Sequence, residues 1–238
     1  MSLDVLAIAA HPDDIEQTCG GTLLRMAERG YRAGALDLTA GDMGTRGTPE
    51  QRLAESEVAA RHLRLDWRGN LRFPDARLEN TLSARMTLAV KIRELRPRVV
   101  ILPYWEGRHP DHYTAARLGY EACFIAGLKN YPLPGGAFRP FKILYAAAYA
   151  DVRPTFAVDI TKQYDQRRQA ILAYESQFRP RKRDRKSKVS LPLDELEERM
   201  SLQARQYGRM IGVKFAEGFV VKEVLRTDDV VKMPVRSI

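Results

Sequence analysis

Cysteine is scarce in this 238-residue chain: Cys19 and Cys123 are the two, 104 positions apart. They make no C-x-x-C pair and no disulfide framework, which points to a reducing, cytoplasmic setting rather than a stapled secreted domain. Long hydrophobic runs are missing as well. The apolar stretch behind Met1-Ser2-Leu3-Asp4 stops at His11 and no positive segment precedes it, so neither a secretion signal nor a membrane partner is expected. Aromatic residues make up only 8%, and 16 Gly and 13 Pro are far too few for a collagenous or low-complexity chain. With 45% hydrophobic residues the chain can bury a real core, and its length predicts one domain over residues 1–238.

Acidic residues are in the minority, 30 against 39 Lys and Arg, for a net charge of +9. The excess is local. Arg179 to Lys188 holds seven basic residues and one acidic, a charge of +6, which leaves +3 for the other 228 residues. No aromatic residues interleave with this run, which speaks against a nucleic-acid partner. Residues 179–190 are expected to be a basic mobile loop inside the domain, with an anion-attracting active-site flap as the functional alternative.

Leu3–Ala10 is an apolar run broken only by Asp4, suited to a strand buried on both faces. Leu23, Leu24 and Ala27 recur at helical spacing up to Gly30, and Arg32–Thr39 follows as a second strand. Gly41–Thr48 reads as a long shaped loop, Pro49–Leu63 and Thr81–Leu95 as helices, and Val99–Leu102 as the strongest strand signal. A polar loop, Glu106–His112, then leads to a helix from about Tyr113 to Phe124. Strands at Lys142–Tyr149 and Phe156–Ile160, helices at Lys162–Tyr174 and Leu193–Met210, and an extended tail near Gly218–Leu225 complete the reading. This alternation predicts an α/β, Rossmann-like fold: a mostly parallel sheet, helices on both faces, and an active site at the carboxyl ends of the strands.

A nucleotide-binding α/β protein would carry a glycine-rich phosphate loop after its first strand. Here that turn is His11-Pro12-Asp13-Asp14, and Gly20-Gly21 comes too late. A matching cluster, His109-Pro110-Asp111-His112, lies 98 positions on, so three of the four histidines and three aspartates fall into two short windows at strand ends. Imidazole nitrogen with a hard carboxylate suits Zn²⁺ or a similar divalent ion, and a catalytic zinc keeps three protein ligands and one open position. The fourth histidine, His62, has no acidic neighbour inside its helix and reads as structural.

These motifs resemble the zinc-dependent N-deacetylases of the LmbE or PIG-L superfamily. The matching segments are Ala10–Glu16, Gly20–Thr22, Leu38–Asp42, Gly44–Thr48 with Arg52, Arg108–His112, Tyr174–Phe178, Ile211–Lys214 and Glu217–Phe219, which span nearly the whole chain. Thr18 departs from the family, which often has glycine there. The later segments look most like the branch acting in bacillithiol biosynthesis, on N-acetylglucosaminyl malate. The resemblance implies one Zn²⁺ per chain held by His11, Asp14 and His112, other divalent metals being an option. It implies Asp13 as general base, His109 facing the reacting carbonyl, and Asp111 fixing the tautomer of His109. Glu16, Arg52 and Arg108 match positions near the substrate. A small-molecule, anionic sugar conjugate and assembly as a homo-oligomer are expected. Deacetylation of another GlcNAc conjugate, an inositol glycoside or a chitobiose-like sugar, is the alternative.

Overall fold

The structure, a computed structural model, describes residues 2–179 and 193–235. One seven-stranded sheet organises them. Strands β1 (Val5–Ala9), β2 (Ala33–Thr39), β3 (Trp67–Phe73), β4 (Val99–Pro103) and β5 (Lys142–Ala146) are parallel. Strands β6 (Phe156–Asp159) and β7 (Ala216–Val220) add antiparallel pairings, in the order β3-β2-β1-β4-β5-β7-β6. The helices are α1 (Asp14–Thr18), α2 (Gly20–Glu28), α3 (Pro49–His62), α4 (Leu82–Leu95), α5 (Pro110–Ala126), α6 (Tyr164–Leu172), α7 (Glu175–Phe178) and α8 (Leu193–Ile211).

The unbroken apolar sequence of β1 is explained by its two covered faces. Leu6 and Ile8 pack with Leu88, Ile92, Leu118 and Ala122 of α4 and α5, while Val5, Ala7 and Ala9 face Ile15, Cys19 and Leu23 of α1 and α2. The fold is therefore the expected α/β sheet with helices on both sides. From β1 the chain winds outward through β2 and β3, then returns to lay β4 and β5 on the other side. That reversal makes a crevice between the carboxyl ends of β1 and β4, where ligands of such sheets bind.

Several boundaries differ from the sequence reading. The first helix is two helices, broken at Cys19 with φ −147°. Strand β3 gave no clear signal because it is an edge strand whose side chains are only partly buried, and its Arg68 and Asn70 serve Asp37 and the Thr39 carbonyl of β2. Helix α5 begins at Pro110 rather than Tyr113, so the second motif is a helix N-terminus and not a loop. β5 stops at Ala146, well before Tyr149. The predicted helix Lys162–Tyr174 contracts to α6, and the tail becomes β7, ending at Val220. Of the basic stretch 179–190, all but Arg179 lies outside the described residues. Among the described residues no helix is long and apolar enough to cross a membrane.

Candidate metal centre

The two motifs meet at the β1/β4 crevice. His11 leaves β1 and Asp14 opens α1, so the turn Pro12-Asp13 folds Asp14 back on His11: Asp14 Oδ2 accepts the His11 backbone N–H at 2.9 Å and lies 3.2 Å from its Nδ1. That turn forces Asp13 into the left-handed region, φ 100°, a conformation that costs a non-glycine residue of order 1–3 kcal/mol. The strain leaves the Asp13 carboxylate beside the cluster without joining it. Across the crevice His109 caps α5, Pro110 takes the first helical position, and His112 comes round one turn later. Nε2 of His112 lies 3.2 Å from the same Asp14 oxygen. His11, Asp14 and His112 thus form a group able to hold a metal ion, and His11, His109 and Asp111 form a second, overlapping group.

The donor chemistry fits a divalent cation. Two imidazole nitrogens and one carboxylate oxygen leave room for further ligands, as catalytic zinc sites do. His11 also carries the backing such ligands have, because its far nitrogen Nε2 is 3.0 Å from Asp75 Oδ1 and 3.4 Å from Asp111 Oδ2. Burial alone would lower the pKa of His11, but hydrogen bonds to Asp111, Asp14 and Asp75 override it and push it up to about 12. For Asp14, burial acts to raise the pKa, and the charges and hydrogen bonds of His112 and His11 outweigh it and hold the carboxyl well below the usual range. Asp13 goes the other way. Burial pushes it up to about 7, against the pull of Arg52.

Arg52 is 5% exposed, and both of its terminal nitrogens are engaged. Its Nη2 donates to the Pro12 carbonyl at 2.6 Å and to Asp13 Oδ1 at 3.3 Å, and its Nη1 reaches the Gly41 carbonyl at 3.4 Å. Gly41 has φ +69°, and a Cβ there would fall 1.8 Å from Nη1, so glycine is what admits the guanidinium. The structure thus turns the two Nη atoms of Arg52, expected near the substrate, onto Asp13 and the Pro12 and Gly41 carbonyls. Glu16, also expected near the substrate, turns to protein partners as well. It is fully buried, with Oε1 2.5 Å from Arg68 Nη1 and 3.1 Å from the Tyr174 hydroxyl, on the side of α1 turned away from Asp14. Among the expected substrate contacts only Arg108 is exposed, next in sequence to the exposed His109.

The Asp111 carboxylate does not hold His109. It turns to His11 and to the Ala76 N–H, while the backbone N–H of Asp111 donates to His109 Nδ1 at 3.2 Å. The reason is helix geometry: positions two apart in a first turn diverge, and the N-cap ring takes the backbone donor instead. Burial, and then the electrostatic influence of the neighbouring His11 and His112 rings, lowers His109 from its ordinary pKa. His62 stands apart with Gln166, 3.1 Å from its Nδ1.

Two neighbours escaped the sequence reading. Asp75 follows β3, which was itself not recognised. Tyr149, one of ten tyrosines and without any motif, stacks on His112 with centroids 5.0 Å apart and places its hydroxyl 3.4 Å from Asp14 Oδ1. The Gly20-Gly21-Thr22 turn also finds its explanation. Glu217 of β7 accepts the Gly21 and Thr22 N–H groups at 2.9 and 2.7 Å, so the chain's own carboxylate fills the anion slot of α2.

A switch-point α/β sheet whose crevice gathers two imidazoles, a ligating carboxylate and a separate buried carboxylate is the framework of a metal-dependent hydrolase. The family described as PIG-L, GlcNAc-PI de-N-acetylase, matches residues 6–123, from β1 into α5. The diacetylchitobiose deacetylase of Thermococcus kodakarensis is 33% identical over 233 residues, covering 90% of this chain and 81% of that one. Among solved structures, the conserved protein TT1542 from Thermus thermophilus superposes with TM-score 0.86 at 42% identity, over 95% of this chain and 98% of that chain. The N,N′-diacetylchitobiose deacetylase from Pyrococcus horikoshii, complexed with its inhibitor MPG, gives 0.78 at 27% identity, over 91% and 82%. The chain belongs to the PIG-L family of deacetylases, and it is a hydrolytic N-deacetylase.

Proposed function

We propose that the protein hydrolyses the acetamide of an N-acetylglucosamine conjugate with one zinc or similar divalent ion held by His11, Asp14 and His112. The observation that carries this reading is the convergence of His11 Nδ1 and His112 Nε2 on one oxygen of Asp14, each at 3.2 Å. A divalent cation at that point supplies Lewis-acid polarisation of the amide carbonyl and acidifies the attacking water. Asp13 is the general base. It is buried, stands outside the ligand set, and is held by Arg52. Its pKa of about 7 suits both taking a proton from water and returning it to the leaving amine near neutral pH. His109 accepts the Asp111 N–H at Nδ1, so its own proton sits on Nε2, placed to donate to the developing oxyanion.

For the conjugate, Arg108 supports the first choice. Of the two arginines expected near the substrate, Arg108 is the exposed one, next in sequence to His109, and a guanidinium there suits a carboxylate, which supports the malyl glycoside of the bacillithiol route. A second reading, an N,N′-diacetylchitobiose-like sugar, is favoured by the two relatives that carry that substrate in their names. Acetate release from malyl, inositol and chitobiose-type GlcNAc substrates, with metal content measured on the same sample, separates them. A charge-assisted pair contributes about 1.5–3 kcal/mol, so the malyl glycoside should lead a neutral one by about ten- to a hundredfold in kcat/KM. Arg108→Ala should remove most of that lead. Equal rates on charged and neutral glycosides would sink the malyl assignment alone, whereas no acetate from any of them would sink the deacetylase reading of this site.

A further inference from the structure

His11 is held from behind by two carboxylates that are not equivalent. Asp75 is 4% exposed and is fixed at both oxygens: Oδ2 accepts the Met43 N–H and Oδ1 the Ala76 N–H, each at 2.8 Å. Oδ1 then has one lone pair left, and it lies 3.0 Å from His11 Nε2. Asp111 shares the same Ala76 N–H at 2.8 Å but lies farther from that nitrogen, at 3.4 Å, and among the described residues has no counterpart of the Met43 N–H that holds Asp75. Ala76 sits at φ +57°, a left-handed position uncommon for alanine, and this turns its N–H between the two carboxylates. Asp75 therefore ties together the loops that leave β1, β2 and β3, none of which is part of α5.

We propose that Asp75 is the positioning residue of the metal centre: it accepts the Nε2 proton of His11, fixes that tautomer and ring angle, and so aims the Nδ1 lone pair at the point shared with Asp14 and His112. The inference rests on the reading of His11 as a metal ligand. An imidazole that ligates a metal is neutral and keeps one N–H, and the better acceptor decides which nitrogen keeps it. Asp75 is the closer of the two and is held at both oxygens, and a carboxylate behind the ring also makes the opposite nitrogen a stronger donor. The alternative is that Asp75 merely braces the Met43 and Ala76 loops.

The test compares wild type, Asp75→Asn and Asp111→Asn for zinc dissociation constant by chelator competition, urea unfolding without metal, and the 15N pattern of the His11 ring with zinc bound. Zinc should bind about ten- to a hundredfold more weakly to Asp75→Asn, and less weakly to Asp111→Asn. Metal-free unfolding should change far less than zinc affinity, because a brace would show in the first and a positioning group in the second. Wild type should carry the proton on Nε2 and zinc on Nδ1. Zinc affinity of Asp75→Asn within about threefold of wild type, or a greater loss in Asp111→Asn, would overturn the proposal. So would a wild-type ring protonated on Nδ1, a measurement that stands even if the variant fails to fold. Wild type that binds no divalent metal would overturn the metal-centre reading and this inference with it.

Discussion

Asp14 points from α1 toward His11 and His112, while Glu16, two residues on, points into the interior toward Arg68 and Tyr174. Two charged clusters thus share one five-residue helix. In the interior one, each carboxylate meets a guanidinium: Glu16 and Asp37 share Arg68, and Glu217 pairs with Arg167 at 3.0 Å. At the strand ends Asp13, Asp14, Asp75 and Asp111 crowd round imidazoles, with Arg52 reaching Asp13 alone among them. Burying charge is tolerable when partners are built in, and expensive when they are not. The interior cluster supplies its own cations and holds the fold. The strand-end cluster has carboxylates in excess over fixed cations, an arrangement that calls for a cation from outside.

The comparison breaks most sharply at Asp13. Asp13→Asn leaves the ligand set untouched and removes the proton acceptor, so kcat should fall on the order of 10²–10⁴ with full metal content. Unfolding in urea should change little, since a buried carboxylate is replaced by a neutral amide of equal size. A variant retaining wild-type turnover would remove Asp13 from the reaction.

Arg68→Ala tests the other side. It strands Glu16 and Asp37 without their cation in the interior, which should cost about 3–5 kcal/mol of stability. The pH dependence has a definite sign. Asp37 lies at about 6 when folded against 3.8 for the free side chain, because burial outweighs Arg68. A carboxyl raised on folding holds its proton more tightly in the folded state, so this group favours folding increasingly as pH falls through 6 toward 3.8. Without Arg68 the folded value rises further, and the deficit of the variant should shrink between about pH 8 and about pH 5. A deficit that grows on acidification would contradict the buried-charge account.

The same contrast explains what could be read from the chain. The strand-end cluster was visible because its donors come from two short motifs, His11–Asp14 and His109–His112, each attached to an apolar strand. The interior pairs were not, since Arg68 stands 52 positions from Glu16 and 31 from Asp37, on an edge strand without alternation. Arg52 and Glu16 stand out in the motifs, but the partners they turn to in the structure, Asp13 and Arg68, do not. A motif records that a residue is needed near the site, whereas burial and partner, which decide whether it meets substrate or another side chain, depend on packing between distant segments. Asp75 was lost along with the strand that delivers it.

The smallest expected effect lies at Tyr149, where the strand-end cluster meets solvent. Phenylalanine there would keep the stack on His112 and lose the hydroxyl 3.4 Å from Asp14 Oδ1, a long hydrogen bond. Burial of the hydroxyl and the charges of Asp14 and Asp13 raise the phenol well above its ordinary pKa, so what is lost is one neutral donor and no charge. A net hydrogen bond of this kind contributes about 0.5–1.5 kcal/mol, which predicts about a two- to tenfold loss in zinc affinity and no measurable change in urea unfolding. Chelator competition on Tyr149→Phe checks the first and urea titration the second. A drop in turnover beyond about a hundredfold at unchanged zinc affinity would mean that the phenol acts on the reacting atoms, and would place Tyr149 beside Asp13 and His109 in the chemistry.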